Sequence, residues 1–161
     1  MEHIVYLALG SNMGNRLANL KNAISLLTPQ MTVKKKSPVY ETPPWGYTDQ
    51  PAFLNQVVMV ETYMEAEPLL GHLKRLETAL GRAESFQNGP RLIDIDILFY
   101  DDVILDSPPL VIPHPRLHQR AFVLVPLNDI ASDFVHPVLG KPISDLLLDV
   151  DRLNIDEYKG K

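Results

Sequence analysis

Apolar residues along this chain switch between two spacings, and the switches outline its elements. His3 to Leu9 alternates and runs apolar, which predicts a first strand closed by a turn at Gly10-Ser11-Asn12. Leu17, Leu20, Ile24 and Leu27 recur at three and four residues, predicting a helix that ends before Pro29. Thr32 to Tyr40 predicts a second strand, carrying Lys34, Lys35 and Lys36. The segment TPPWGYTDQP, Thr42 to Pro51, is expected to be irregular because its prolines lack an N–H donor and fix φ. Phe53 to Thr62 predicts a third strand. Leu69, Leu73, Leu76 and Leu80 mark one face of a second helix with Gly81 at its C-terminal end. The last strong pattern is GPRLIDIDILFY, Gly89 to Tyr100, an apolar strand interrupted by Asp94 and Asp96.

The predicted order is β-α-β-β-α-β followed by short helices. It is the order of an α+β, ferredoxin-like antiparallel sheet with helices on one face. Residues two apart in a strand lie roughly 6.5–7 Å apart on one face. Ile93, Ile95, Ile97 and Phe99 are therefore expected to face the helices, and Asp94 and Asp96 to project together from the opposite, open face.

At 161 residues the chain is expected to form one domain, 1–161. Its 45% hydrophobic and 22% charged residues are ordinary for a globular protein. A net charge of −5 argues against a broad nucleic-acid surface, and no paired aromatic motifs mark an RNA-binding sheet. With zero cysteines there is no disulfide and no thiolate metal site, which suits the cytoplasm. The opening MEHIVYLALGSN lacks the basic and long apolar regions of a signal peptide, and no apolar run reaches the ~18 residues of a membrane span. Small molecules are the expected partners, rather than nucleic acid or membrane. No P-loop and no Gly-x-Gly-x-x-Gly occurs, so any phosphate must be held by side chains.

Two carboxylates in so apolar a strand need a partner, and divalent cations suit oxygen ligands at this spacing. The polar face of a half-exposed strand is the alternative. Arg82 and Arg91 bracket the loop AESFQNGP, placing a planar cation at each end of a segment able to close over phosphates. They read equally well as surface arginines, with Arg91 neutralising Asp94. His114, Arg116, His118 and Arg120 place four potentially cationic groups within seven residues, beside prolines and the start of a helix. That favours an anion over zinc on His114 and His118, because Pro115 interrupts the turn and no third nitrogen or sulfur ligand is near. Phe53 and Asn55 share a strand face and would suit a flat heterocycle with amide-like edges. An ordinary buried Phe and a satisfied Asn remain the alternative, and Trp45 reads as a loop anchor or a lid.

Leu9-Gly10-Ser11-Asn12 with Gly14, Tyr40-Glu41-Thr42-Pro43-Pro44, Asp49-Gln50-Pro51, Phe53-Leu54-Asn55, Glu77 and Gly81-Arg82 form an ordered series. It continues through Gly89-Pro90-Arg91, Asp94-Ile95-Asp96-Ile97, Pro113-His114-Pro115-Arg116 and the run from Arg120 to Leu127. In order and spacing, from about Val5 to Leu147, the series resembles the 6-hydroxymethyl-7,8-dihydropterin pyrophosphokinase family. The resemblance implies a transfer of pyrophosphate from ATP to the hydroxymethyl group of the pterin, with release of AMP, in folate biosynthesis. It implies two Mg²⁺ ions held by Asp94 and Asp96. It implies a pterin between Phe53 and Phe122, with Asn55 and the backbone around Thr42, Pro43 and Trp45 reading its edge. His114, Arg116 and Arg120 would hold phosphates, Arg82 and Arg91 would close over them, and Glu77 and the Ile97 backbone would lie near the nucleoside. Asp96 is the candidate acceptor for the hydroxyl proton.

The chain departs from the family pattern in the loop between the arginines. Glu84 and Asn88 stand where further basic residues and an aromatic are common. Weaker ATP affinity or slower turnover is expected, improved by Glu84→Arg. A non-catalytic module that senses a nucleotide or pterin is the other reading; retention of Arg82, Arg91, Asp94, Asp96 and His114 favours the enzyme. A monomer or weak homodimer is expected.

Overall fold

The computed structural model describes residues 2–44, 48–81 and 91–160. The chain begins with β1 (His3–Ser11), which continues two residues into the expected turn, and α1 (Arg16–Leu27), whose first turn is capped by Asn15 Oδ1 accepting from the Ala18 amide. The predicted strand from Thr32 to Tyr40 is two strands, β2 (Met31–Lys36) and β3 (Tyr40–Thr42). Pro38 has no amide to offer a ladder, so pairing lapses there. Ser37 bridges the gap: its amide donates to the Val57 carbonyl (2.9 Å), and its hydroxyl oxygen accepts from the Val57 amide (3.0 Å). Then come β4 (Phe53–Thr62), α2 (Ala66–Ala79) and β5 (Asp94–Tyr100).

β1 lies between β5 and β4, and β4 carries β2 and β3 along its other edge. All of these pairings are antiparallel. Counting β2 and β3 as one interrupted strand gives the expected ferredoxin-like order. α1 and α2 cover one face, where Leu20, Leu27, Leu69 and Leu73 meet Val5, Leu7, Ile93 and Ile95. Each such side chain removed from water contributes roughly 1.5–3 kcal/mol before chain entropy is counted.

Phe99 is not on that face. The β1–β5 register slips between Tyr6 and Leu7, so that Tyr6 faces Phe99 while Leu7 faces Ile97. Leu98 is the extra residue of this bulge, and the alternation restarts out of phase. Leu98 and Phe99 both join the opposite core, and Tyr100 returns to the first.

The segment after β5 adds a hairpin, β6 (Leu105–Ser107) and β7 (Leu110–Ile112), then a 3-10 turn at Leu117–Gln119. It continues with α3 (Ala121–Ala131), α4 (Ile143–Leu147) and β8 (Asp156–Glu157), the last pairing with β3. α3 and α4 place Val123, Leu124, Leu127 and Ile143 against Tyr6, Val57, Leu98 and Phe99. They therefore occupy part of the sheet face that carries the aspartates. Among the described residues, no helix is long and apolar enough to cross a membrane.

Candidate active site

The part of that face left uncovered by α3 is a cleft of about 220 Å³. Its floor follows from register. Asp94, Gly10 and Asn55 are successive partners across β5, β1 and β4, and Asp96, Ala8 and Val57 form the next row. Cross-strand partners point to the same face. The central strand therefore contributes only a methyl group and a hydrogen between the two carboxylates and Asn55, and this leaves the hollow. A Cβ at Gly10 would lie 2.8 Å from Asn55 Oδ1 and 3.6 Å from the Phe53 ring. Asn55 Nδ2 donates to Thr42 Oγ1 (2.7 Å), leaving Oδ1 turned toward Gly10.

Thr42, Pro43, Phe53, Asn55, Arg91, Asp94, Asp96, His114, Arg120 and Phe122 all line this one cleft. They come from distant parts of the sequence, and the fold brings them together. Phe53 rises from β4, while Phe122 projects from the first turn of α3.

Asp96 is held well above the ordinary carboxylate range, at about 7, first by burial and then by the neighbouring charge of Asp94. Two carboxylates in one desolvated place repel each other, and a hard cation relieves both. Among the described residues no cluster of three or more acidic, His or Cys side chains could complete a metal site. The pair fits Mg²⁺, which keeps waters and commonly binds through one or two carboxylates plus substrate phosphates.

His114 hangs from the outer edge of β5, its amide donating to the Leu98 carbonyl (3.0 Å). Burial, then Arg120 and Arg116, push its imidazole down to about 4, so this group is neutral where the sequence suggested a cation. Its Nδ1 accepts from the Arg116 amide (3.3 Å), which leaves the proton on Nε2 as a donor. Arg120 lies with its Cζ 5.5 Å from the centre of the Phe122 ring, within cation–π range. Burial lowers its pKa, while Asp96 and Asp94 oppose that shift. Arg116 is exposed and does not line the cleft. His118 faces another groove, its ring centre 6.5 Å from that of His136.

Glu77 and Ile97 stand apart from the cleft lining. Glu77 is 1% exposed on α2, and its Oε2 accepts from the Ile95 amide (2.7 Å) along the outer edge of β5. Since Ile95 and Ile97 pair with Leu9 and Leu7 two residues apart, the Ile97 backbone faces that same edge. Trp45, Arg82, Glu84 and Asn88 lie outside the described residues.

Gly10, expected in a turn, lies with Ala8 inside β1 at the floor of the cleft. The signal was present: Ala8 and Gly10 are the small residues at period two in an otherwise bulky strand. Asn12, to which the sequence assigns no site role, is 2% exposed and bonded to both neighbouring loops.

Residues 6–132 match the model of the family described as 7,8-dihydro-6-hydroxymethylpterin-pyrophosphokinase. A 2-amino-4-hydroxy-6-hydroxymethyldihydropteridine pyrophosphokinase of Methylorubrum extorquens is 42% identical, over 96% of this chain and 98% of its own. The folic acid synthesis protein FOL1 of Dictyostelium discoideum is 44% identical over 85% of this chain, which spans only 21% of that longer protein. Among solved structures, the Plasmodium falciparum HPPK-DHPS wild type shares the fold with a TM-score of 0.74 at 20% identity, covering 92% of this chain and 41% of its own. The chain belongs to the 7,8-dihydro-6-hydroxymethylpterin-pyrophosphokinase family.

Proposed function

We propose that this chain, as one catalytic domain, transfers the β,γ-pyrophosphoryl group of ATP to the hydroxymethyl group of 6-hydroxymethyl-7,8-dihydropterin, a step of folate biosynthesis. The observation that carries the reading is the meeting of two aromatic rings, an amide, two carboxylates and a set of cations in one cleft.

The hydroxyl oxygen forms a bond to the β-phosphorus as the bond from that phosphorus to the α,β-bridging oxygen breaks. The bonding pair leaves with AMP, and the proton passes toward Asp96. Such transfers depend mostly on positioning and charge stabilisation. Phe53 and Phe122 hold the pterin ring, while Asn55 and Thr42 read its edge. Asp94 and Asp96 would hold Mg²⁺, two ions in our reading, which would neutralise phosphate charge and orient the attacking hydroxyl. Arg91, Arg120 and the neutral Nε2–H of His114 bind phosphate oxygens, with Arg116 at the outer rim and Arg82 as a further phosphate-binding cation. Glu77 keeps the β5 edge in place for the nucleoside at Ile97. The absence of cysteine suits a cytoplasmic setting, and the chain acts as a monomer or weak homodimer.

Incubation with ATP, Mg²⁺ and the hydroxymethyl pterin tests the reading. AMP is expected; ADP would indicate an ordinary kinase, and no nucleotide product would favour a binding module.

A further inference from the structure

Asn12 follows β1 and is 2% exposed, yet its amide lies among three segments. Its Oδ1 accepts from the Arg91 backbone amide (2.8 Å), and its own backbone N–H donates to the Arg91 carbonyl (3.0 Å). Its Nδ2 donates to the Pro51 carbonyl (2.9 Å) and to Gln50 Oε1 (2.9 Å). The backbone partners fix the amide's orientation, since only oxygen can accept from an N–H and only nitrogen can donate to a carbonyl. Arg16 takes the next carbonyl, its Nη1 donating to Ala52 O (3.0 Å), one residue before Phe53.

We propose that Asn12 is a positioning residue that sets both half-sites of the cleft at once: Arg91 on the phosphate side through Oδ1, and Phe53 on the pterin side through Nδ2. This rests on the pyrophosphokinase reading above. A buried side chain with all its bonds on two different loops transmits a displacement of either loop to the other, which neither loop would do through solvent. The substitution that breaks one side of the amide should therefore affect one substrate.

Asn12→Asp keeps the oxygen facing the Arg91 amide and removes both donors to Pro51 and Gln50. The pterin KM is expected to rise about tenfold with the ATP KM within about twofold of wild type, a lost buried hydrogen bond being worth on the order of a factor of ten. Asn12→Ala removes the side-chain bonds on both sides and leaves only the backbone bond to the Arg91 carbonyl, so both KM values should rise and kcat should fall. In Arg91→Ala, adding Asn12→Ala should leave the ATP KM nearly unchanged, because the phosphate-side effect passes through Arg91. Equal changes in both KM values for Asn12→Asp, or multiplicative effects with Arg91→Ala, would overturn the proposal, as would a fall in melting temperature with unaltered kinetics. Wild-type protein that makes no AMP would instead defeat the functional reading. The clasp would then be read from Arg91 amide exchange, slow in wild type and fast in Asn12→Ala; equal exchange rates in the two would overturn it.

Discussion

Gly10 faces Asn55 so closely that a β-carbon at position 10 would stand 2.8 Å from Asn55 Oδ1. Asn55 cannot simply withdraw, because its other amide atom is bonded to Thr42 Oγ1 at 2.7 Å. The hollow next to the carboxylates thus depends on the absence of one methyl group from the central strand.

Gly10→Ala should therefore lower kcat/KM for the pterin by about tenfold or more while leaving the ATP KM near wild type. Overpacking should also cost roughly 1–3 kcal/mol in urea unfolding. Steady-state kinetics with each substrate varied separately provides the check; an unchanged pterin KM would show that the floor is not the limiting surface.

Asp96 predicts an unusual pH dependence. Burial and the neighbouring Asp94 raise its folded pKa from the ordinary 3.8 to about 7. The folded state thus binds more protons than the unfolded state between those values, and stability falls as pH rises through that window. Without divalent cation, Asp96→Asn should be more stable than wild type at pH 8, by on the order of 1–2 kcal/mol, and equal to it near pH 4. Mg²⁺ at pH 8 should raise the wild-type melting temperature and leave that of Asp96→Asn unmoved. Thermal melts across pH, with and without Mg²⁺, decide it.

His114 should contribute a donor and no charge. Nitrogen-15 spectra should show a neutral ring protonated on Nε2 from pH 8 down to about 5, consistent with a pKa near 4. His114→Ala should reduce kcat/KM for ATP by about tenfold, the loss of one hydrogen bond to a charged group. A ring that takes up its proton near 6.5 would contradict the geometry.

His3 joins the start of β1 to the end of β5, with Nδ1 2.7 Å from Asp101 Oδ2 and Nε2 3.1 Å from Glu65 Oε2. The hydrogen bond to Asp101 is the main cause of its raised pKa, opposed by burial and helped by Glu65. A raised histidine stabilises the fold fully below its unfolded pKa, and that contribution fades as pH climbs through the folded value. His3→Ala should therefore be costly at pH 6 and much less so at pH 9, as measured by paired denaturant titrations.

Much of this molecule was legible in sequence because local pattern and burial agreed. The Leu69, Leu73 and Leu76 stripe gave α2, and the alternation through Ile93, Ile95 and Ile97 gave the core face of β5. Phe99 was misplaced because a bulge depends on how β1 pairs, which period-two counting cannot register. β8 has only two residues and exists because the edge of β3 is near, so it has no signature of its own. In the site, charged and aromatic residues were visible as chemistry. Ala8, Gly10 and Asn12 were not, since two act by what they lack and the third by bonds to loops far away in sequence.

The most direct test of the central claim follows atoms. With ATP carrying distinguishable labels at the α and γ phosphorus, the wild-type protein, Mg²⁺ and the hydroxymethyl pterin should yield AMP with the α label and a pterin diphosphate with the γ label. Asp96→Ala, folded by circular dichroism, should yield neither. A γ label found on the pterin alongside ADP, or undiminished transfer by Asp96→Ala, would contradict the account.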